Sequence, residues 1–194
     1  HFALRWAALY NAGIAAACLP GATVESVLEV VRSFATYRAE GAKLYARYDT
    51  VRADVDRALG LAAQASSWAD LRNRFDAVYF GGGWYNYGMA QANEIVAKGL
   101  ALFALTRGDA KAAIVAAVNF GRDTDCLAAV AGGLSGALRG ARALPKAWIT
   151  QVNRATKRDP YTNNRRSIEQ TADGLLRAFR ARQSRLAGWS RKMR

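Results

Sequence analysis

Histidine is all but missing from this 194-residue chain, the only one being His1. A Ser-His-Asp or Cys-His apparatus therefore has no source for its base except the extreme N-terminus. Cysteine is almost as scarce. Cys18 and Cys126 are too few for a structural zinc site and allow at most one disulfide, so a reduced, intracellular and cytoplasmic protein is expected. Apolar runs such as Ala12 to Leu19 fall short of the ~18–20 residues that cross a bilayer, so no membrane partner is expected. The opening segment, Phe2 to Tyr10, has neither the unbroken apolar core nor the cleavage pattern of a signal peptide. It reads as the interior of a helix, and a segment upstream of it is expected.

Acidic residues are also few, 15 Asp+Glu against 28 Lys+Arg, which leaves a formal charge of +13. That charge is unevenly placed. Residues 1–138 hold 13 basic and 12 acidic side chains, whereas residues 139–194 hold 15 and 3. A uniformly basic domain would point to nucleic acid as the main partner. Here the charge belongs to a C-terminal appendage, whose Arg177, Arg180, Arg182, Arg185, Arg191, Lys192 and Arg194 either bind nucleic acid or form a solvated helix face.

What the chain does have is apolar side chain, 52% of its residues, enough for the core of one domain or of most of a larger one. These residues recur at helical spacing and hardly ever alternate, which predicts an all-α protein. Ala3, Trp6, Leu9 and Tyr10 share the face of a first helix that breaks at Leu19-Pro20-Gly21. Thr23 caps a second, with Val24, Val27, Leu28, Val31 and Phe34 inward. A third spans about 42–64 with Leu44, Tyr48, Val51, Val55 and Leu59 inward, and places Asp54 and Asp56 toward solvent. Ser67 to Asp70 has capping-box spacing. A helix from about Ala90 to Leu105 stops at Arg107-Gly108, and Asp109 caps the next, which ends near Asn119. In the tail, about Ser167 to Arg182, Ile168, Thr171, Leu175, Leu176 and Phe179 form a stripe expected to pack on something.

Between helices lies Phe80-Gly-Gly-Gly-Trp-Tyr-Asn-Tyr-Gly88, glycines and aromatics with no periodicity. Ordering three adjacent glycines is entropically expensive. Either the segment approaches a ligand closely, or it is a connector with buried aromatics.

The densest signal is Asn119-Phe-Gly-Arg-Asp-Thr-Asp-Cys126. In a non-helical turn two carboxylates at i and i+2 can converge, while helical geometry would set them about 200° apart. An adjacent helix N-terminus favours keeping both ionised. Taken alone, Asp-x-Asp here reads as N-capping. The helix that follows changes the weighing: Ala128, Ala129, Ala131, Gly132, Gly133, Ser135, Gly136 and Ala137 are all small, so neighbouring backbones can approach closely. An acidic turn at the tip of a tightly packed helix is a rigid platform for hard cations.

The stretch from Ala116 through Ile149 resembles the C-terminal signature of the ADP-ribosylglycohydrolase superfamily, which includes hydrolases of ADP-ribosyl-arginine and ADP-ribosyl-serine and the J-crystallins. Asn119, Gly121, Asp123, Asp125, Gly136, Ala137, Gly140, Pro145 and Trp148 match its pattern in order. The resemblance implies a compact orthogonal bundle of helices, with residues 1–155 forming the C-terminal part of such a domain and 156–194 a basic amphipathic helix and tail. It implies a centre of two Mg2+ ions, or Mn2+, with Asp123 and Asp125 as ligands. Where the family has a metal-binding Thr, this chain has Cys126, a soft donor that suits magnesium poorly. Asn119, Gly121 and Arg122 become substrate-side or supporting candidates, and Gly83, Trp84, Tyr85 and Tyr87 would flank the cleft. The family's other ligands and its acid for handling water lie in an N-terminal segment with no counterpart here. A companion chain or upstream segment is therefore expected to complete a glycosidic-bond hydrolase of ADP-ribosylated or ribosylated substrates. The rival expectations are an inactive relative serving as a scaffold and a nucleic-acid binder acting through the tail.

Overall fold

A computed structural model describes residues 2–35, 50–79, 91–161 and 165–193. Among them are nine α-helices, one short 3-10 turn and no strand, so the all-α expectation holds. The helices are α1 (Phe2–Ala17), α2 (Val24–Ala35), α3 (Thr50–Gln64), α4 (Trp68–Tyr79), α5 (Ala92–Leu105), α6 (Ala110–Val118), α7 (Thr124–Arg139), α8 (Lys146–Thr156) and α9 (Ile168–Lys192). Two compact units emerge, residues 1–143 and residues 144–194. No described helix is long and apolar enough to cross a membrane. Cys18 and Cys126 are both free thiols.

The first unit is organised around α5. Val96, Ala97, Lys98, Gly99, Leu100, Ala101, Leu102 and Phe103 are consecutive and all buried, which an amphipathic surface helix would not show. Helices α3 and α7 pack along it, and α7 is also covered by α1 and α6. Small residues make these contacts close. A Cβ added to Gly132 would lie 2.7 Å from Ile114 of α6, and one added to Gly99 of α5 would run into the Val130 side chain of α7. Glycine is otherwise unfavourable inside a helix, so close packing is what offsets it here. At the far end of α7, Arg139 donates from its guanidinium to the carbonyl of Arg107 at 3.0 Å.

Local signals act largely as expected. Thr23 Oγ1 accepts from the N–H of Ser26 at 3.1 Å, and Ser26 Oγ accepts from the N–H of Thr23 at 2.9 Å. Asp109 Oδ1 accepts from Ala112 at 2.7 Å and caps α6. Ser67 accepts from the N–H of Asp70 at 3.1 Å, but the Asp70 carboxylate reaches back to Ser66 rather than to Ser67. Three side chains assigned inward or outward by pattern fall elsewhere. Ala3 is exposed. Phe34 is 42% exposed, and Ala35 takes the buried place at that end of α2. Asp54, expected to face water, is 1% exposed, because it occupies the stripe Val51, Val55, Ala58, Leu59 and Ala62 that buries α3. Leu44 and Tyr48 lie outside the described residues.

The second unit consists of α8 and α9, neither of which buries a residue within its helix. The two are tied by Asn153, whose Oδ1 accepts from the N–H of Ile168 at 2.8 Å and whose Nδ2 donates to Glu169. Ser167 and Gln170 form a full capping box at the start of α9. This helix runs ten residues past the expected end. Its stripe does not become core, with Leu175 68% and Phe179 58% exposed.

Candidate metal centre

The link between α6 and α7 is five residues long, Asn119 to Asp123. Asn119 closes α6, its side-chain N–H donating to the Val115 carbonyl at 2.8 Å. Phe120 turns inward and is buried. Gly121 and Arg122 then both take positive φ, 92° and 63°, and the chain reverses into α7. A side chain at Gly121 would meet nothing within 4 Å. Crowding is therefore not the reason for glycine there; the left-handed backbone is.

Asp123 holds the N-cap position of α7 but makes no side-chain cap bond, so the simple capping role is absent. Asp125 follows in the first helical turn. Although one is helical and the other is not, their carboxylates and the Cys126 thiol come together, with one donor atom from each lying within 4.8 Å of the others. Electrostatics tie the three into one group. The Asp125 carboxyl is held below the usual range, first by a hydrogen bond shared with Asp123 and then by its own N–H and that of Cys126. The Cys126 thiol is pushed up, chiefly because it donates to Asp123 and further by burial and the two negative charges.

Two carboxylates converging on a helix N-terminus suit a hard divalent cation, which takes oxygen donors. The thiol does not, since sulfur favours softer metals. Three donors are also fewer than the near-octahedral shell of even one Mg2+ requires. The donor set thus fits part of one hard-cation shell, and further donors would have to come from outside this cluster.

Arg122 turns its guanidinium inward onto Glu94 of α5: Nε bonds Oε1, and a terminal nitrogen bonds Oε2 at 3.1 Å. Neither Glu94 nor Lys98, which donates to the same Glu94 Oε1 at 2.7 Å, was singled out by the sequence pattern. The available signal is that an acid and a base four residues apart are the only charged residues in α5; in a helix apolar on all sides such a pair is buried. The other aromatic and glycine candidates, Gly83, Trp84, Tyr85 and Tyr87, lie outside the described residues. Asp54 and Asn93 have carboxylate or amide oxygens buried without a hydrogen-bond partner among the described residues, and neither joins the acidic group.

Comparison with curated proteins and with solved structures finds no match. The ADP-ribosylglycohydrolase family model matches residues 1–185, a span that takes in the acidic turn and every helix packed around it. The chain belongs to the ADP-ribosylglycohydrolase family.

Proposed function

We propose that this chain is part of a metal-dependent hydrolase that cleaves the glycosidic bond of an ADP-ribosylated or ribosylated substrate, with Asp123 and Asp125 as metal ligands. The observation that carries the reading is the convergence of both carboxylates at the start of α7, where Asp123 makes no side-chain cap bond, in a chain of this family. Two Mg2+ ions, or Mn2+, are the proposed cofactors; when bound they would hold ribose hydroxyls and a water in place.

The chain's own residues act around that chemistry. Asp123 and Asp125 supply anionic oxygens. The N-terminal N–H groups of α7 favour that negative charge, and Asp125 and Cys126 N–H groups act directly on the Asp125 carboxyl. Breaking a ribosyl C1–N or C1–O bond develops oxocarbenium character, which a fixed carboxylate and a held water can support. Histidine is not needed. The acid that handles the water, and the remaining metal donors, are assigned to residues outside the cluster, contributed by an upstream segment or a companion chain.

Replacing Asp123 or Asp125 by Asn should cut Mn2+ affinity at least tenfold, read by calorimetry or by the electron paramagnetic resonance of free Mn2+. It should also abolish release of ADP-ribose from ADP-ribosylated arginine or serine peptides. Wild-type affinity in both variants would sink the ligand assignment. Cys126 favours a second reading, a family member that keeps the fold as a scaffold. Metal binding without hydrolysis, after addition of any co-purifying chain, is the outcome that selects it.

A further inference from the structure

We propose that Glu94 is a positioning residue for the acidic turn, acting through Arg122 and itself held by Lys98. The inference rests on the metal-ligand reading of Asp123 and Asp125 and extends it to residues that touch neither metal nor substrate.

Glu94 is 1% exposed, and burying a carboxylate is unfavourable unless it is paired. It has two cationic partners. Lys98, also buried, donates to Oε1 at 2.7 Å, while the Arg122 guanidinium takes both oxygens. Lys98 is confined by Phe75 and Phe120, whose ring centres lie 6.0 and 5.8 Å from its nitrogen, and those rings meet edge to face at 5.9 Å. Burial lowers the Lys98 pKa, opposed by Glu94 and Asp76 and assisted by the Arg122 charge. A lysine walled in by two rings cannot move far, so it fixes Glu94.

Glu94 in turn fixes Arg122. A non-glycine residue with φ of 63° is in a conformation that L-residues avoid, and a two-point bond from its side chain is what can hold it there. The next residue is Asp123. The direction in which the chain leaves Arg122 therefore sets where both carboxylates stand.

The full chain tests this with Arg122→Lys, which keeps the charge and loses the fork, and Arg122→Gly, which accepts positive φ and loses the anchor. Both should lower Mn2+ affinity at least fivefold while the thermal midpoint shifts by only a few degrees. Amide hydrogen exchange across residues 119–127 should quicken at least tenfold, with exchange in α5 unchanged. A purely structural role predicts the opposite pairing, a changed midpoint with unchanged affinity in the surviving fold. Glu94→Gln should reproduce the Arg122 phenotype. If it fails to fold because Lys98 loses the carboxylate it donates to, Glu94→Gln combined with Lys98→Met removes that charge and carries the same expectation. Unchanged affinity and exchange in both Arg122 variants would overturn the proposal. If the wild-type chain binds no Mn2+, the metal reading alone fails, and the exchange measurement still decides whether Glu94 and Arg122 hold the turn.

Discussion

Burial without a donor favours the neutral form of a carboxyl group, and it pushes Asp54 up to about 6 against the opposing pull of Arg57. In the unfolded chain an aspartate titrates near ~3.9. The folded state therefore holds a proton that the unfolded state releases between those values, so the contribution of Asp54 to stability is intact below about pH 4. It declines as the pH rises toward 6 and stays lost above. Asp54→Asn should raise the denaturation midpoint at pH 8 by an amount worth at most about 3 kcal/mol, and the gain should vanish near pH 4. Urea titrations at the two pH values check this; an equal effect at both would show that Asp54 does not titrate in this window. At this scale the sequence was legible where residues close in the chain come together in space, as Asp123, Asp125 and Cys126 do. It misled at Asp54, a charged residue set among Val51, Val55, Ala58, Leu59 and Ala62, the stripe that buries α3. It was silent on the Arg122–Glu94 pair, because 28 residues separate the partners and no local pattern marks them.

Helices were the most legible level, since apolar period and caps such as Thr23 and Asp109 are written locally. Which helix lies at the centre was less so. The glycines of α7 draw attention to that helix, yet Gly99 of α5 is just as confined, since an added Cβ would meet the Val130 side chain of α7 at its branch point. Alanine is the better helix former by up to ~1 kcal/mol, so propensity alone predicts that Gly99→Ala stabilises. Packing predicts the reverse. Forcing a methyl between α5 and α7 should destabilise the protein by roughly 1–3 kcal/mol, measured by equilibrium urea unfolding. A gain in stability would mean that the two helices can separate without loss.

Across the whole molecule, charge and core divide between the two units. Residues 144–194 hold 13 basic and 3 acidic side chains and so carry most of the net positive charge, while the buried hydrophobic core of the described residues lies in residues 1–143. On α9, Arg177, Arg180, Arg185, Arg191 and Lys192 are all exposed. A nucleic-acid partner for α9, as opposed to a solvated helix face, predicts that a short single-stranded oligonucleotide binds the chain with an affinity that falls steeply with salt, with a log–log slope of about −0.7 per phosphate neutralised. Arg177→Gln with Arg180→Gln should flatten that slope; a slope unchanged by the double substitution would remove α9 from the binding face. In the first unit, the two arginine ties at the ends of α7, Arg122 onto Glu94 and Arg139 onto the Arg107 carbonyl, have a mechanical consequence. A rod pinned at both ends can flex at its middle but cannot slide along its axis. Sliding of α7 along α5 would have to break both bonds, so together they oppose any change in the axial height of the acidic tip.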